Sequence, residues 1–349
     1  MLISIIIPSW NRKSLIFETL QSVVNQTSTD WELIIVDDHS TDGSFEELEI
    51  FVRSHENIKL FKRNSSTKGA NVCRNEGAEY AKGNYLIFLD SDDILDVTCI
   101  ENRVSVLKKN QKADFFVFLT KTFINTLGDS DLYWNIFNKE NDLLRFLNVD
   151  PVWQTTSVLW DNSFFKKIDG FDENLKCWQD WDIHIRAILC AEDYYKSENE
   201  PDNYYRLNEN FSIRKNSSSN EYLLHREYVT NKIFNEIKNK KGKVKKYNLY
   251  FAKLYYQMSK LWMEKANVAE SLRLLSLIKQ KKLLSNIEYF IWMIYIRQQF
   301  YLSSNNKSII KRIIDKILSI VYKYHFELSN ATYLKVSLKE KIDKIIRDF

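Results

Sequence analysis

Short apolar runs alternate with helix-like segments through residues 1–120 of the chain. The apolar runs predict five strands, at residues 2–7, 32–36, 58–62, 85–89 and 114–119. Apolar residues spaced three and four apart predict helices between them, at about 14–26, from 44 onward, at 68–81 and at 97–110. Strands that alternate with helices indicate right-handed βαβ units and a mostly parallel sheet. Because these strands are apolar on both faces, we expect helices to flank the sheet of this α/β fold.

The second half of the chain has a different pattern. Residues 120–175 are less regular and rich in Trp and Phe, and 177–190 has helical periodicity. From about 221 to 349 the pattern is helical throughout, with KNKKGKVKK (238–246) as a predicted exposed linker. We therefore expect a sheet domain over 1–220, followed by a basic helical domain over 221–349 that associates with a membrane or oligomerises.

Charge is divided along the chain in a similar way. The net charge is +4, but residues 1–231 sum to about −12 and residues 232–349 to about +16. The basic half is expected to meet a polyanion, such as an anionic membrane surface, nucleic acid or an acidic partner. The alternative interpretation is a lysine-rich helix face exposed to water.

Composition excludes several classes of protein. With 44% hydrophobic and 28% charged residues, the chain is predicted to bury a core rather than to be disordered. The four cysteines form no Cys-x-x-Cys pair and are predicted to be free thiols of a reducing compartment. The apolar N-terminus meets Pro8 without a basic flank, which favours a strand over a signal peptide. No apolar stretch has the length of a membrane span, and free thiols of a reducing compartment favour a cytoplasmic location.

Polar clusters follow three of the predicted strands at the point where each strand ends. PSWNR (8–12) follows the first strand, DDHS (37–40) the second and DSDD (90–93) the fourth. Ligands of an open parallel sheet bind at the carboxyl ends of its strands. We therefore expect the three clusters to meet at one edge.

The carboxylates of DSDD are close enough to repel one another. Clusters that offer only oxygen ligands suit Mg²⁺ or Mn²⁺, which keep positions for water and for phosphate oxygens. An ion held there can neutralise a diphosphate leaving group. Asp92 and Asp90 are the candidate ligands, whereas Asp93 and Asp96 are interpreted as caps of the helix that follows.

Other residues of these clusters have two interpretations each. Trp10 either offers a planar face to a nucleotide base or packs in the core, and Arg12 offers a cation to phosphate. Asp38 can accept a hydrogen bond from a base N–H group. Arg74, in CRNEG, either touches phosphate or forms a surface salt bridge.

Four segments taken together resemble the family 2 glycosyltransferases. They are SIIIPSWNR (4–12), ELIIVDDHSTDGS (32–44), KGANVCRNEGAEYAKGNYLIFLDSDD (68–93) and WQDWD (178–182). The resemblance covers about residues 1–215 and implies a GT-A fold, which is Rossmann-like, with a nucleoside diphosphate sugar as donor. It further implies Mn²⁺ or Mg²⁺ as cofactor, and a glycan or lipid-linked glycan of a bacterial surface polysaccharide as acceptor, with a UDP-sugar favoured as donor.

The resemblance also implies roles for individual residues. Asp180 falls where the family has its catalytic base, which deprotonates an acceptor hydroxyl that attacks the anomeric carbon with inversion. Asp90-Ser91-Asp92 is similar to the DxD motif, with Asp90 near the ribose and Asp92 on the metal ion. The donor-binding candidates are Pro8, Ser9, Trp10, Asn11, Arg12, Asp38, Arg74, Asp90 and Ser91.

The chain departs from the family pattern at two points. The common Glu-Asp pair at the base is Gln179-Asp180 here, and a downstream Tyr-Arg-x-His stretch ends in Asn208. His184, one turn beyond Asp180, is a candidate to replace that His, although a lone His on a helix is more often packed in the core. Three tryptophans either stack on sugar faces of the acceptor or belong to the core: Trp153, Trp178 and Trp181.

Residues 221–349 lie outside the family pattern. The mixture of Trp, Tyr and Lys at 253–262 predicts an amphipathic helix at a membrane interface. Because the resemblance implies an enzyme that extends lipid-linked glycans, we expect peripheral association with the inner face of the membrane. The alternative is a helical bundle with an aromatic core that dimerises or supports a lid. A non-catalytic nucleotide-sugar adaptor on the same fold is the alternative function, and the presence of Asp180 argues against it. Nucleic acid is not an expected partner, because the lysines are dispersed over helices that match no known module.

Overall fold

A computed structural model gives the fold and describes residues 1–110, 112–134, 136–207, 219–242, 245–286, 288–290 and 292–293. The strands are β1 Ile3–Ser9, β2 Trp31–Asp37, β3 Ile58–Lys62, β4 Tyr85–Phe88, β5 Ile94–Leu95, β6 Phe115–Val117, β7 Thr120–Phe123, β8 Val158–Asp161, β9 Tyr194–Lys196 and β10 Asn203–Arg206. The helices are α1 Ile16–Val24, α2 Ser44–Val52, α3 Ala70–Tyr80, α4 Cys99–Lys109, α5 Asp142–Leu147, α6 Asn162–Lys167, α7 Gln179–Cys190, α8 Asn220–Lys241, α9 Asn248–Glu264 and α10 Val268–Gln280.

The main sheet has seven strands in the order β3-β2-β1-β4-β8-β6-β9. The first four are parallel, with Ile6 of β1 paired to Ile34 of β2 on one side and to Phe88 of β4 on the other. β8 runs antiparallel to both of its neighbours, β4 and β6. A second, small sheet has the order β5-β10-β7. The carboxyl ends of β1, β2 and β4 therefore lie side by side, as the alternating pattern predicted.

Close packing of α3 on the central strand depends on a glycine. A Cβ atom at Gly77 would lie 2.4 Å from the Ile6 side chain, so a larger residue would push the helix off the sheet. Ile3, Ile5 and Ile7 pack into the apolar core with Leu33 and Ile35. The burial of β1 and β2 on both faces explains why these strands read as continuous apolar runs.

All five predicted strands are present, and the α/β fold is confirmed. The region at 120–175, which had no clear pattern, contains four of the elements named above: β7, α5, β8 and α6. These elements are only four to six residues long, which is too short for periodicity to reveal. The predicted linker at 238–246 is also different, because α8 continues to Lys241 and ends at Gly242, whose φ is +62°.

The described residues fall into two compact units. The first contains 1–139 and 151–207, and the second contains 140–150 together with the helices from 219 onward. Residues 140–150, which form α5 and its flanks, were assigned by sequence to the first domain. In the structure, Leu143, Phe146 and Leu147 of α5 are buried, and α5 packs on α9 of the same unit.

The second unit has an aromatic core of its own. Tyr255, Tyr256 and Trp262 of α9 are 0%, 6% and 3% exposed. Phe234 of α8 packs edge-on against Phe251 of α9, with ring centroids 5.1 Å apart. These rings therefore serve helix packing, which supports the bundle interpretation of 253–262 and removes the reason for placing that stretch at a membrane interface.

No helix among the described residues is long and apolar enough to cross a membrane. The four cysteines are free thiols, and Cys73 and Cys99 are buried. Residues 294–349 of the predicted basic domain lie outside the described residues, as does Asn208. The association of residues 221–349 with a membrane, or with a second copy of the chain, stays a prediction.

Candidate active site

The loops after β1 and β2 are joined by hydrogen bonds at the edge of the sheet. The Asp38 amide donates to the Ser9 carbonyl at 2.7 Å, and the Thr41 amide donates to the Asn11 side-chain oxygen at 2.8 Å. Asn11 and His39 have φ values of 51° and 58° in these two loops. Left-handed backbone at non-glycine residues is costly and often occurs at functional sites.

The first cluster presents one exposed ring. Trp10 is 58% exposed, whereas Ser9 is 2% exposed and Pro8 is buried within β1. The indole of Trp10 is thus open to a flat ligand, and the core-packing interpretation does not hold for it. Because Pro8 and Ser9 are both buried, they can only support a nucleotide pocket and cannot form its exposed surface.

Asp38 is held in place on both carboxylate oxygens. Arg63 donates to Oδ1, and the Gly69 amide donates to Oδ2 at 2.9 Å. Gly69 has a φ of +126°, a conformation that favours glycine, and it stands just before α3. Each oxygen keeps a second lone pair, so Asp38 can still accept a hydrogen bond from a ligand.

The cluster after β4 holds more negative charge than its neighbours compensate. Asp90 pairs with Arg74, whose Nη2 lies 2.6 Å from Asp90 Oδ1. Burial and the nearby Asp90 charge raise the pKa of Asp92, although Arg12 and Arg206 oppose this rise. The pKa of Asp93 is raised well above its ordinary value by burial and by both neighbouring aspartates. A cation near Asp92 would relieve this repulsion.

Asp93 is not a helix cap, which corrects the prediction. It is 1% exposed, and its two oxygens accept hydrogen bonds from the Arg206 amide at 3.0 Å and the Thr156 hydroxyl at 3.4 Å. Asp96, by contrast, accepts from the Thr98 amide at 2.9 Å just before α4. Only Asp96 has a contact at the start of the helix of the kind predicted.

The start of α7 supplies the candidate base. Asp180 is the second residue of this helix. Trp178, which immediately precedes the helix, has a φ of 56°. The Thr155 hydroxyl donates to Asp180 Oδ1 at 2.5 Å. Burial raises the pKa of Asp180, while Arg74 and the Thr155 hydrogen bond oppose the rise. Asp182 lies in the core instead, 2.8 Å from Arg186.

Arg74 connects the aspartate cluster to the start of α7. Its Nη2 binds Asp90, while its Nη1 donates to the side-chain oxygens of Asn71 at 3.2 Å and Gln179 at 3.4 Å. The guanidinium is 5% exposed and lies over the Phe171 ring, 5.1 Å from its centroid. Arg74 is therefore a buried bridge, which corrects the interpretation of it as a surface salt bridge. The side-chain oxygen of Gln179 accepts from Arg74 without adding a charge beside Asp180.

Neighbouring side chains fix α3 against the loop that leads into α7. The Asn71 side chain donates to the Asp172 carbonyl at 2.7 Å, and the Asn75 side chain donates to the Phe171 carbonyl at 2.8 Å. These bonds hold Arg74 and Asp180 on facing elements. As a result, the edge that carries Asp90 and the helix that carries Asp180 meet.

The aromatic candidates separate into different environments. Trp153 is 2% exposed and packs against Phe115 and His184, so the core interpretation holds for it. Trp178 and Trp181 contact each other, with centroids 5.1 Å apart, and Trp178 is half-buried. Trp181 is 6% exposed, so the core interpretation holds for it as well, and stacking on an acceptor sugar stays a prediction for Trp178.

His184 is a core residue. It is 1% exposed, its ring stacks on Trp160 at 6.0 Å, and burial lowers its pKa to about 3. A ring in that environment does not reach a diphosphate. The prediction that His184 replaces the missing His is therefore wrong for this conformation.

Residues of the site were also missed by sequence. Arg206 holds the aspartate loop, because its Nε donates to the Asp92 carbonyl at 2.9 Å and its amide donates to Asp93 Oδ1 at 3.0 Å. Arg63 immediately follows β3, so the rule that selected the other strand ends could have found it. Thr155 gave no signal, since it lies in a 3₁₀ turn of three residues.

A metal ion can be tested against these residues. Among the described residues, no group of three or more His, Cys, Asp or Glu side chains could hold a metal ion by itself. Asp90 already pairs with Arg74, which leaves Asp92 as the carboxylate with charge to be neutralised. The oxygen-only donor set fits a hard cation that takes its remaining ligands from phosphate and water, so the predicted Mn²⁺ or Mg²⁺ would need a bound diphosphate.

Comparison with known proteins identifies the family. The family described as Glycosyl transferase family 2 matches residues 4–165. The provisionally named colanic acid biosynthesis glycosyl transferase WcaA of Escherichia coli (strain K12) is 30% identical over 202 residues, which is 56% of this chain and 70% of that protein. The chain belongs to glycosyltransferase family 2. The resemblance of the four sequence segments is confirmed.

The chain is also similar to a further sequence relative and to a solved structure. Poly(ribitol-phosphate) beta-glucosyltransferase of Bacillus spizizenii is 40% identical over 113 residues, which is 32% of this chain and 18% of that protein. The crystal structure of S. aureus TarS 1-349 in complex with UDP-GlcNAc is 19% identical, with a TM-score of 0.64 over 95% of each chain. This likeness confirms the GT-A fold. The chain spans 18%, 62% and 42% of the length of three curated relatives that it matches.

Proposed function

We propose that the protein is an inverting glycosyltransferase that moves a sugar from a nucleoside diphosphate sugar, with UDP-sugars favoured, to a hydroxyl of a glycan or lipid-linked glycan. The observation that carries the proposal is the bridge made by Arg74, which binds Asp90 on the donor side and Gln179 beside Asp180. A donor site and a candidate base thereby share one edge of the sheet. Bacterial surface polysaccharide assembly is the proposed setting, supported by the names of the relatives.

Asp180 is the proposed general base. Its Oδ1 accepts the Thr155 hydrogen bond, so Oδ2 is available to take the proton of an acceptor hydroxyl. The hydroxyl oxygen then forms a bond to the anomeric carbon as the bond from that carbon to the diphosphate oxygen breaks. One displacement inverts the configuration. A carboxylate in this position contributes about 10²- to 10⁴-fold to the rate.

The donor is proposed to lie across the ends of β1, β2 and β4. Trp10 offers its exposed ring to the base, and Asp38, fixed by Arg63 and Gly69, accepts a base N–H. Arg12, whose positive charge acts to lower the pKa of Asp92, is proposed to face the phosphates. The TarS complex with UDP-GlcNAc, a protein of the same fold, supports a uridine nucleotide.

Asp92 is proposed to hold Mn²⁺ or Mg²⁺ together with the diphosphate oxygens. Such an ion, when bound, stabilises the negative charge that develops on the leaving diphosphate. Arg206 holds the Asp92 loop by its hydrogen bond to the Asp92 carbonyl, and the charges of Arg12 and Arg206 partly offset that of Asp92. Asp90, tied to Arg74, orients the loop and is the second candidate ligand.

A binding screen followed by an activity assay tests the proposal. The full chain is titrated by calorimetry with UDP, GDP, dTDP and CMP, each with and without Mn²⁺, and is then assayed for UDP release from UDP-glucose and UDP-N-acetylglucosamine. We expect UDP to bind with metal, and to be released from one of the two donors as its sugar is transferred to an acceptor. Binding without any release, when glycan acceptors are supplied, would instead support the non-catalytic adaptor. The absence of any nucleotide binding would refute both functions.

A further inference from the structure

The turn Gln154–Ser157, with the sequence QTTS, is a small rigid element beside the candidate base. Thr155, Thr156 and Ser157 form its 3₁₀ helix and are 1%, 0% and 0% exposed. The Gln154 side chain accepts from the Thr156 amide at 2.8 Å, and the Ser157 hydroxyl accepts from the Gln154 amide at 3.3 Å. The turn is thus closed by its own side chains.

Three different elements anchor this turn from outside. Arg103 of α4 donates to the Thr156 carbonyl at 3.0 Å. Gln154 donates to Asn203 of β10 at 3.2 Å, and the Ser157 and Thr120 hydroxyls lie 2.6 Å apart. Side chains on such a turn have little freedom to move.

The two threonine hydroxyls of the turn reach carboxylates from separate segments. Thr155 donates to Asp180 Oδ1 at 2.5 Å, and Thr156 donates to Asp93 Oδ2 at 3.4 Å. Among the described residues, Asp180 accepts no other side-chain or backbone hydrogen bond. The charged groups that face it are Arg74 of α3 and Asp90 after β4.

We propose that Thr155 is the positioning residue of the general base: its hydroxyl fixes Oδ1 of Asp180 so that Oδ2 is turned to the acceptor. A hydroxyl carries one proton, and Thr155 commits that proton to Asp180. The hydrogen bond also favours the ionised carboxylate against the effect of burial. This role rests on the proposed function, since it requires Asp180 to act as the base.

The test compares three variants of the full chain. Thr155→Val removes the hydroxyl and keeps the shape, Thr155→Ser restores the hydroxyl, and Thr122→Val is the matched control. Thr122 is also a buried threonine, 1% exposed, but its hydroxyl bonds to the Leu132 carbonyl at 2.9 Å, away from the candidate base. For each variant, kcat and KM for UDP release from UDP-glucose and UDP-N-acetylglucosamine are measured from pH 5 to about 9, together with the Kd for UDP and the melting temperature.

We expect Thr155→Val to lower kcat by about 10- to 100-fold, as the loss of a hydrogen bond to a charged group predicts. The acidic limb of the pH–rate profile of Thr155→Val should move to higher pH, while its KM and its Kd for UDP stay within about twofold of the wild-type values. Thr155→Ser should regain most of the rate. Thr122→Val should change the melting temperature without moving the pH profile.

Two results would overturn the positioning role alone. One is a Thr155→Val enzyme with the rate and pH profile of the wild type, and the other is an equal loss in the Val and Ser variants, which would indicate packing. If Thr155→Val fails to fold, Thr155→Ala gives the same comparison with Thr155→Ser. A wild type that binds UDP but releases none from either donor would overturn the proposed function, and the positioning role with it.

Discussion

The two units of the protein handle charge in opposite ways. In the sheet unit, burial and then repulsion from the neighbouring aspartates raise the pKa values of Asp92 and Asp93. In the helical unit, aromatic rings fill the core, and the carboxylates of Glu227 and Glu270 both pair with Arg273, which is 40% exposed. Buried charge without a partner lowers stability. The aspartate cluster at the sheet edge therefore indicates a site that a bound cation would stabilise.

The largest expected effect is the loss of rate when the candidate base, Asp180, is replaced. Asp180→Asn is expected to lower kcat by about 10²- to 10⁴-fold with little change in UDP affinity, because the amide cannot accept the proton. Since burial raises the pKa of Asp180 above 3.8, wild-type activity should fall on the acidic side at a pH above that value. UDP-release kinetics against pH would measure both. A normal rate in Asp180→Asn would assign the base to another group.

Breaking the buried ion pair of the sheet unit should give the largest loss of folding stability. Arg103 and Asp202 are 0% and 2% exposed and 2.8 Å apart. Arg103→Met leaves Asp202 enclosed without its partner, and we expect a loss of about 3–5 kcal/mol in the free energy of unfolding. Chemical denaturation of both proteins would measure it, and a loss below about 1 kcal/mol would show that this pair contributes no more than an exposed one.

Removal of the Asp92 charge should abolish stabilisation by metal and nucleotide together. With UDP and Mn²⁺ at about 100 times Kd, the wild type should gain about 2.7 kcal/mol, which Asp92→Asn should lose. Asp96→Asn is the matched control, because Asp96 lies four residues away and is engaged by Thr98 and Tyr204. Thermal shift measurements would decide, and equal shifts in both variants would exclude Asp92 as the metal ligand.

A charge in the helical unit should matter least. Arg273→Ala breaks the pairs with Glu227 and Glu270 on a half-exposed surface, so we expect a loss of about 1 kcal/mol or less. Denaturation in low and high salt would test this, since a surface pair weakens with salt. A loss as large as that of Arg103→Met would remove the contrast between the units.

The sequence allowed the parallel part of the fold to be predicted because long apolar strands and helices have distinct periods. β1 to β4 and the helices between them were found within about two residues of their bounds. β7, β8 and β10 were not found, since they contain four residues each and depend on partners distant in the chain. Residues 140–150 joined the helical unit for the same reason: their apolar face is buried by α9, which lies more than 100 residues further along the chain.

By itself, the sequence determined that the polar clusters of 8–12, 37–40 and 90–93 meet at one edge, because parallel strands place their carboxyl ends together. Only the tertiary structure decided which side chains are exposed at that edge and which are buried. It placed Trp153 and His184 in the core and left Trp10 exposed. It also brought Thr155 to Asp180 and Arg206 to the Asp92 loop. Contacts across 25 and 114 residues carry no local pattern, so they emerge only when the chain has folded.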